Sequence, residues 1–246
     1  MNKFESKILK SPSNTNSRLK NFDWLTEQLE IIGSNWVEYL KQHLIITEKL
    51  FGEPEFPWDE NERVIVSTLA ASIMRSNANA LIAEELPIDK KSALINGARC
   101  DLWAHIPCKN TEESFNFYME AKRFRKHISS DKIQDALEGE HGIERMFLDN
   151  AKSRDGVINL KSPYSKARKH THYIVGLIII PMDGEIDAND ISDIFNDIFC
   201  KSHKIQDTTR NMKNFPSAGI YLGKSDKNGS KSLMFASLSI IGRSDV

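Results

Sequence analysis

Residues 97–106 read GARCDLWAHI and residues 115–124 read FNFYMEAKRF, two short segments in which apolar and polar side chains alternate. The alternation, and the short interval between the segments, predict an antiparallel β-hairpin. Successive side chains of a strand point to opposite faces of the sheet, so each predicted strand has one apolar face. The other face carries Asp101 on the first strand, and Glu120 and Lys122 on the second.

Two carboxylates and a lysine on one face of a sheet suit metal-assisted hydrolysis of a phosphodiester bond. Hard divalent cations such as Mg²⁺ or Mn²⁺ prefer carboxylate and carbonyl oxygens. We therefore expect Asp101, Glu120 and the backbone carbonyl of Ala121 to hold the metal. The ion would polarise a phosphoryl oxygen and lower the pKa of a bound water. Lys122 is expected to orient that water and to offset charge in the transition state.

The motif formed by Asp101 and by the run Glu120, Ala121, Lys122 resembles that of the PD-(D/E)xK nuclease superfamily, and covers about a tenth of the chain. Cys100 stands where that motif has a proline. The resemblance implies an α/β fold of the restriction endonuclease-like type, with an αβββαβ core and a mixed central sheet flanked by helices. It also implies a metal-dependent endonuclease, a hydrolase acting on DNA, from a restriction, defence or mobile-element system.

Members of that superfamily place a further acid on the helix before the hairpin, and Glu62 is the candidate here. A helix is predicted at residues 59–76, and Glu62 continues the apolar stripe that this helix turns inward. In this interpretation Glu62 is a catalytic carboxylate that also contacts the metal. The alternative is a capping box, because Asp59 and Glu62 have the spacing of the N-cap and N3 positions. Glu84 and Glu85, beside a short strand predicted at residues 80–83, are further alternatives for this acid.

Two clusters of basic residues are candidates for binding the phosphates of a nucleic acid. The first directly follows Lys122, and the second lies in a predicted loop at residues 153–171. Phosphate binding of this kind weakens as salt is added, and the alternative for each cluster is an ordinary solvated loop. The residues expected to bind nucleic acid are Arg123, Arg125, Lys126, Lys166, Arg168 and Lys169.

The rest of the chain predicts one nuclease-like domain with additions at both ends. Residues 1–18 are polar and predict a flexible tail, and residues 19–246 form the domain, which begins with a helical elaboration. Helices are predicted at residues 21–50, 130–152 and 186–199. Beyond the hairpin and a short strand at residues 80–83, strands are predicted at residues 172–181, 218–222 and 232–241. The unbroken apolar character of residues 172–181 indicates a central strand covered on both faces.

Composition limits the remaining function classes. A hydrophobic content of 40% supports a sizeable core, and no apolar run reaches the length of a membrane-spanning helix. Three cysteines without a Cys-x-x-Cys pair are typical of a reducing, cytoplasmic setting. Cleavage of both DNA strands by one small domain would favour a two-fold dimer. The alternative function is a catalytically inactive module with a nuclease fold, which binds nucleic acid or serves as a scaffold.

Overall fold

The computed structural model of the chain contains two helices and eight strands in the part that it describes. The described residues are 4–11, 21–87, 99–108, 113–125, 127–129, 171–184, 191–193, 216–225 and 231–244. The helices are α1 (Phe22–Phe51) and α2 (Glu62–Ser76). The strands are β1 (Phe4–Lys10), β2 (Leu81–Pro87), β3 (Arg99–Pro107), β4 (Ser114–Arg123), β5 (Ile128–Ser129), β6 (His172–Asp183), β7 (Ser217–Ser225) and β8 (Lys231–Ser244).

The strands form one mixed sheet with β6 at its centre. Seven of them follow the order β1-β7-β8-β6-β4-β3-β2, and the short β5 pairs with β6 beyond the end of β4. β4 and β5 run parallel to β6, whereas the other neighbours are antiparallel. The predicted hairpin is therefore confirmed as β3 and β4, and the predicted C-terminal strands as β7 and β8. The α/β class with a mixed sheet flanked by helices is also confirmed.

Both helices pack on one face of this sheet. α1 lies against β1, β7 and β8, and α2 lies against β2, β3 and β4. The indole nitrogen of Trp36 donates to the Thr68 hydroxyl at 2.9 Å, which joins the two helices inside the core. Each fully buried apolar side chain there contributes about 1.5–3 kcal/mol to folding. The helix side of the core includes Leu25, Leu29, Leu40, Leu44, Ile65, Leu69, Phe117, Leu177, Ile220 and Leu238.

The opposite face of the central strands is buried as well. On β6, both alternating sets of side chains are removed from water, from His172 to Met182. This agrees with the prediction that the strand is covered on both faces, and it explains why the sequence there is continuously apolar rather than alternating. The sheet face that carries Glu120 and Lys122 is therefore partly enclosed, and not an open surface.

The predicted flexible tail is wrong for residues 4–10. These residues form β1, an edge strand whose register places Phe4 beside Lys224 and Ile8 beside Ile220 of β7. Phe4 and Ile8 pack against the core, while Glu5 is exposed. Charged residues are a common feature of edge strands, because they hinder pairing with a further chain. That polar character made the segment resemble a tail.

Several predictions lie outside the residues that the structure describes. They are the helix at residues 130–152, most of the helix at residues 186–199 and nearly all of the loop at residues 153–171. Residues 191–193 are helical, and the Lys7 ammonium of β1 donates to the Ser192 hydroxyl at 2.7 Å. Neither α1 nor α2 contains an apolar stretch long enough to cross a bilayer.

Candidate active site

The candidate site lies where β3 and β4 separate. The two strands pair from Pro107 beside Ser114 as far as Leu102 beside Met119. Beyond that point β3 continues with β2, and β4 continues with β6 up to Arg123. The edge of β4 that faced β3 is therefore left without a backbone partner over its last residues, within the described ladders. Such an edge exposes N–H and C=O groups that need partners.

Two carboxylates occupy that edge. The N–H of Ala121 donates to Asp101 Oδ2 at 2.7 Å, and the N–H of Arg123 donates to Glu62 Oε2 at 2.9 Å. Residues two apart on a strand present their backbone groups to the same side, which is why one edge accounts for both bonds. The carbonyl of Ala121 faces this edge too, since the N–H and C=O of one residue share a side. Acids from α2 and β3 thus meet at the end of β4.

Glu120 and Lys122 form an ion pair beside these acids. The Lys122 ammonium lies 2.9 Å from Glu120 Oε1, with side chains 32% and 15% exposed respectively. Burial alone would lower the pKa of Lys122, but the carboxylates of Glu120, Glu62 and Asp101 raise the pKa above its ordinary value. Lys122 is therefore charged at neutral pH, which suits an electrostatic role and not that of a general base.

Burial and neighbouring acids raise the pKa values of Asp101 and Glu62. Burial, followed by the charge of Glu120, raises the pKa of Asp101 to about 6, although the N–H of Ala121 opposes the shift. Burial likewise raises the pKa of Glu62, against the charge of Lys122 and the N–H of Arg123. Three carboxylates and one lysine leave an excess of negative charge, which a divalent cation would neutralise. The residues that would hold Mg²⁺ or Mn²⁺ are Asp101, Glu120, Glu62 and the carbonyl of Ala121.

The donor types fit such a cation, whereas the side-chain positions are not those of a preformed metal site. In the described segments, no three or more His, Cys, Asp or Glu side chains converge closely enough to hold a metal ion. Asp101 and Glu62 each accept from a backbone N–H, and Glu120 contacts Lys122. Binding an ion would require at least one of these contacts to be exchanged for metal coordination.

The predicted capping box at the start of α2 is wrong. The N-cap residue is Asn61, and its side chain accepts from the N–H of Val64 at 3.1 Å. Glu62 is the first residue of the helix, and its carboxylate contacts the end of β4. An N-cap side chain must lie immediately before the first helical residue, and Asn61 holds that position rather than Asp59. Glu62 therefore forms a group of acids with Asp101 and Glu120.

Arg123 has a structural contact where a phosphate contact was predicted. Its Nε donates to the carbonyl of Trp58 at 2.9 Å, and its Nη2 donates to the carbonyl of Asp59 at 3.4 Å. These bonds join the end of β4 to the loop before α2, and so help to hold Glu62 in place. Arg125 is exposed. The remaining predicted nucleic-acid residues, Lys126, Lys166, Arg168 and Lys169, lie outside the described residues.

His127, in the basic cluster that follows Lys122, contacts two acids that the sequence did not indicate as its partners. Its Nε2 lies 3.1 Å from Asp59 Oδ1, and its Nδ1 lies 2.7 Å from Asp183 Oδ1. The imidazole therefore joins the loop before α2 to the end of β6. The sequence offered one signal, a histidine among the basic residues that follow the hairpin, but its two acidic partners are far apart in the chain.

No family model, curated protein or solved structure matches the chain. The fold class rests on the sheet described above, and the superfamily resemblance remains an expectation. The assignment of roles to Asp101, Glu120, Lys122 and Glu62 therefore rests on geometry and chemistry alone.

Proposed function

We propose that this chain is a metal-dependent endonuclease that hydrolyses phosphodiester bonds, with DNA as its substrate. The observation that carries the proposal is the meeting of three acids and a lysine at the end of β4. The acids come from three different elements, α2, β3 and β4, and two of them contact alternate N–H groups of one strand edge. Burial and neighbouring acids raise the pKa of Asp101 to about 6, which would not be expected if these charges were exposed and had met by coincidence.

The roles of the residues follow from their charge and position. Asp101, Glu120 and Glu62, with the Ala121 carbonyl, would hold Mg²⁺ or Mn²⁺. When bound, the ion supplies a polarised phosphoryl group and a water of lowered pKa. Lys122 remains protonated among the acids, so it can stabilise charge that develops on the phosphoryl oxygens. At neutral pH Asp101 is mostly ionised, and is therefore ready to bind a cation.

Cleavage assays test the proposal directly. Supercoiled plasmid and labelled single- and double-stranded DNA and RNA would be incubated with the protein and Mg²⁺ or Mn²⁺. We expect metal-dependent cutting that is lost in Asp101→Asn and in Lys122→Ala. Lys41→Ala is the matched control, because Lys41 also pairs with a nearby glutamate at 2.8 Å and is 23% exposed, but lies on α1. It should cut like the wild type.

Two results would overturn the proposal in different ways. Cutting that survives both Asp101→Asn and Lys122→Ala would mean that the active site lies elsewhere. Failure to cut any of the substrates, together with Mn²⁺ binding that is indifferent to Asp101→Asn and Glu120→Gln, would exclude metal-dependent catalysis at this site. The binding or scaffolding function would then be the better explanation of the fold.

A further inference from the structure

Glu85 on β2 has a backbone conformation that is unusual for a residue with a side chain. Its φ is +52°, in the left-handed region. Its neighbours Glu84 and Leu86 lie opposite Leu102 and Cys100 of β3, so Glu85 stands opposite Asp101. Asp101 in turn accepts from the N–H of Ala121, the residue that follows Glu120 on β4. The three acids Glu85, Asp101 and Glu120 therefore lie on the neighbouring strands β2, β3 and β4.

The carboxylate of Glu85 lies between two arginines. Glu85 Oε1 is 3.1 Å from Arg63 Nε, and Glu85 Oε2 is 3.6 Å from Arg99 Nη1. The side chains of Arg63 and Arg99 are 79% and 58% exposed, whereas that of Glu85 is 32% exposed. Arg63 directly follows Glu62 on α2, and Arg99 precedes Asp101 by two residues on β3. Both guanidinium groups thus contact Glu85, whose neighbours on β2 pair with the residues of β3 on either side of Asp101.

Stability does not account for this arrangement. A left-handed conformation is unfavourable for a residue with a Cβ, whereas ion pairs with arginines as exposed as these contribute little to folding. The two ion pairs are therefore too weak to compensate for the backbone strain. Strained residues that persist in a fold are concentrated at functional sites. The arrangement suits a function of the two arginines that needs them held in place and accessible to a ligand.

We infer that Arg63 and Arg99, oriented by Glu85, bind phosphates of the nucleic-acid backbone next to the group of acids. This inference rests on the proposed function, because the phosphates belong to the strand that is to be cut. A guanidinium group matches two phosphate oxygens at once and keeps its charge at all relevant pH values. The acids alone would repel a polyanion, and the two exposed arginines that contact Glu85 would offset that repulsion.

Binding can be measured separately from cleavage. The affinity for a fluorescein-labelled DNA duplex would be followed by fluorescence anisotropy in EDTA, across a range of KCl concentrations. We expect Arg63→Ala and Arg99→Ala each to weaken binding about 3- to 10-fold and to reduce the salt slope by about 1. Arg75→Ala is the matched control, because Arg75 is an exposed arginine in the last turn of the same helix, α2. It should leave both the affinity and the slope unchanged.

A second pair of variants tests the backbone strain assigned to Glu85. Glu85→Gly removes the strain and the carboxylate together, so we expect its melting temperature to rise by a few degrees relative to Glu85→Ala, in which the strain remains. Equal melting temperatures would show that the left-handed conformation is not strained, and would remove the argument that the arginines are held for function.

The inference and the proposed function can fail independently. If Arg63→Ala and Arg99→Ala bind DNA like Arg75→Ala while metal-dependent cutting persists, the inference is wrong and the nuclease stands. If binding depends on both arginines but no substrate is cut, the phosphate contacts stand and catalysis fails. Absence of any binding to duplex DNA, with cutting retained on single-stranded DNA or RNA, would overturn the inference for duplex DNA.

Discussion

Lys122 and Lys224 each contact a glutamate, yet their surroundings differ. Lys224 on β7 lies 2.6 Å from Glu48 of α1, is 1% exposed and also stacks over the ring of Phe4 at 5.5 Å. Lys122 on β4 lies 2.9 Å from Glu120, is 32% exposed and has two further acids near it. One lysine with one acid makes a neutral pair that fastens a helix to the sheet. One lysine among three acids leaves negative charge, which suits the binding of a cation.

The largest expected effect concerns the stability provided by the Lys224 pair. Removing one partner of a buried ion pair leaves the other charge uncompensated, at a cost of about 3–5 kcal/mol. We expect Lys224→Ala to lower the free energy of unfolding by about that amount, measured by urea denaturation followed by circular dichroism. The cleavage rate per folded molecule should not change.

A double variant separates the pair from the packing around it. Lys224→Met combined with Glu48→Leu replaces both charges by apolar groups of similar size, and should recover most of the lost stability. A loss below about 1 kcal/mol in Lys224→Ala alone would contradict the structural role assigned to the pair.

The second effect concerns catalysis at Lys122. Removing a group that stabilises charge in a transition state lowers kcat by about 10²- to 10³-fold. We expect this loss in Lys122→Met, together with a fall of about 1–3 kcal/mol in the free energy of unfolding, because Glu120, which is 15% exposed, and the two further acids lose the charge of Lys122. Lys122→Arg keeps the charge and should recover part of the rate. If Lys122→Met loses stability but keeps its cleavage rate, Lys122 has the structural role assigned to Lys224 and not a catalytic one.

The contrast between the two pairs also shows what the sequence could predict. The period of two in the hairpin placed Asp101, Glu120 and Lys122 on one face without any knowledge of the tertiary structure. Glu62 was reached through the helical stripe, although the capping alternative stayed open. A helix start depends on which of several polar residues becomes the N-cap, and neither Asn61 nor Asp59 has a decisive advantage in the sequence.

Other features depend on how distant segments dock, and the sequence carries no local sign of them. Lys224 and Glu48 are 176 residues apart in the chain and meet only because α1 packs on β7. The strand β1 is polar because it lies at an edge, and a polar segment without a sheet beside it resembles a tail. The left-handed φ of Glu85 is unexpected for a glutamate within a strand, since Gly or Asn would be the usual residue.

The third effect is a pH-dependent gain of stability in Asp101→Asn. The pKa of Asp101 is about 6 in the folded protein, against an ordinary value of 3.8 that applies to the unfolded chain. The folded state therefore holds its proton more tightly, so the stability that protonation gives is present below pH 3.8 and is lost as pH rises through about 6. Without metal, Asp101→Asn should be more stable than the wild type by about 1–2 kcal/mol at pH 7.5.

That advantage should disappear near pH 4, where Asp101 is neutral in the folded wild type. Thermal unfolding in EDTA across this pH range measures it, and the Asn side chain can still accept from the N–H of Ala121. At pH 7.5, added Mn²⁺ should make the wild type more stable than Asp101→Asn, because the ion stabilises the wild type and not the variant. If Asp101→Asn is less stable than the wild type in EDTA at pH 7.5, burial and the neighbouring acids do not raise the pKa of Asp101 as described.

The smallest effect distinguishes the two neighbours at the start of α2. Asn61→Ala removes the N-cap and should lower the free energy of unfolding by about 1 kcal/mol, with cleavage unchanged. Glu62→Gln keeps an oxygen that can accept from the N–H of Arg123, so its unfolding should change by less than about 0.5 kcal/mol. Its cleavage should still fall several-fold, because an amide gives a divalent cation less charge to bind. If Glu62→Gln keeps full activity, Glu62 has only a structural role at the end of β4, like that of Glu48 beside Lys224. The acids that take part in catalysis would then be Asp101 and Glu120 alone.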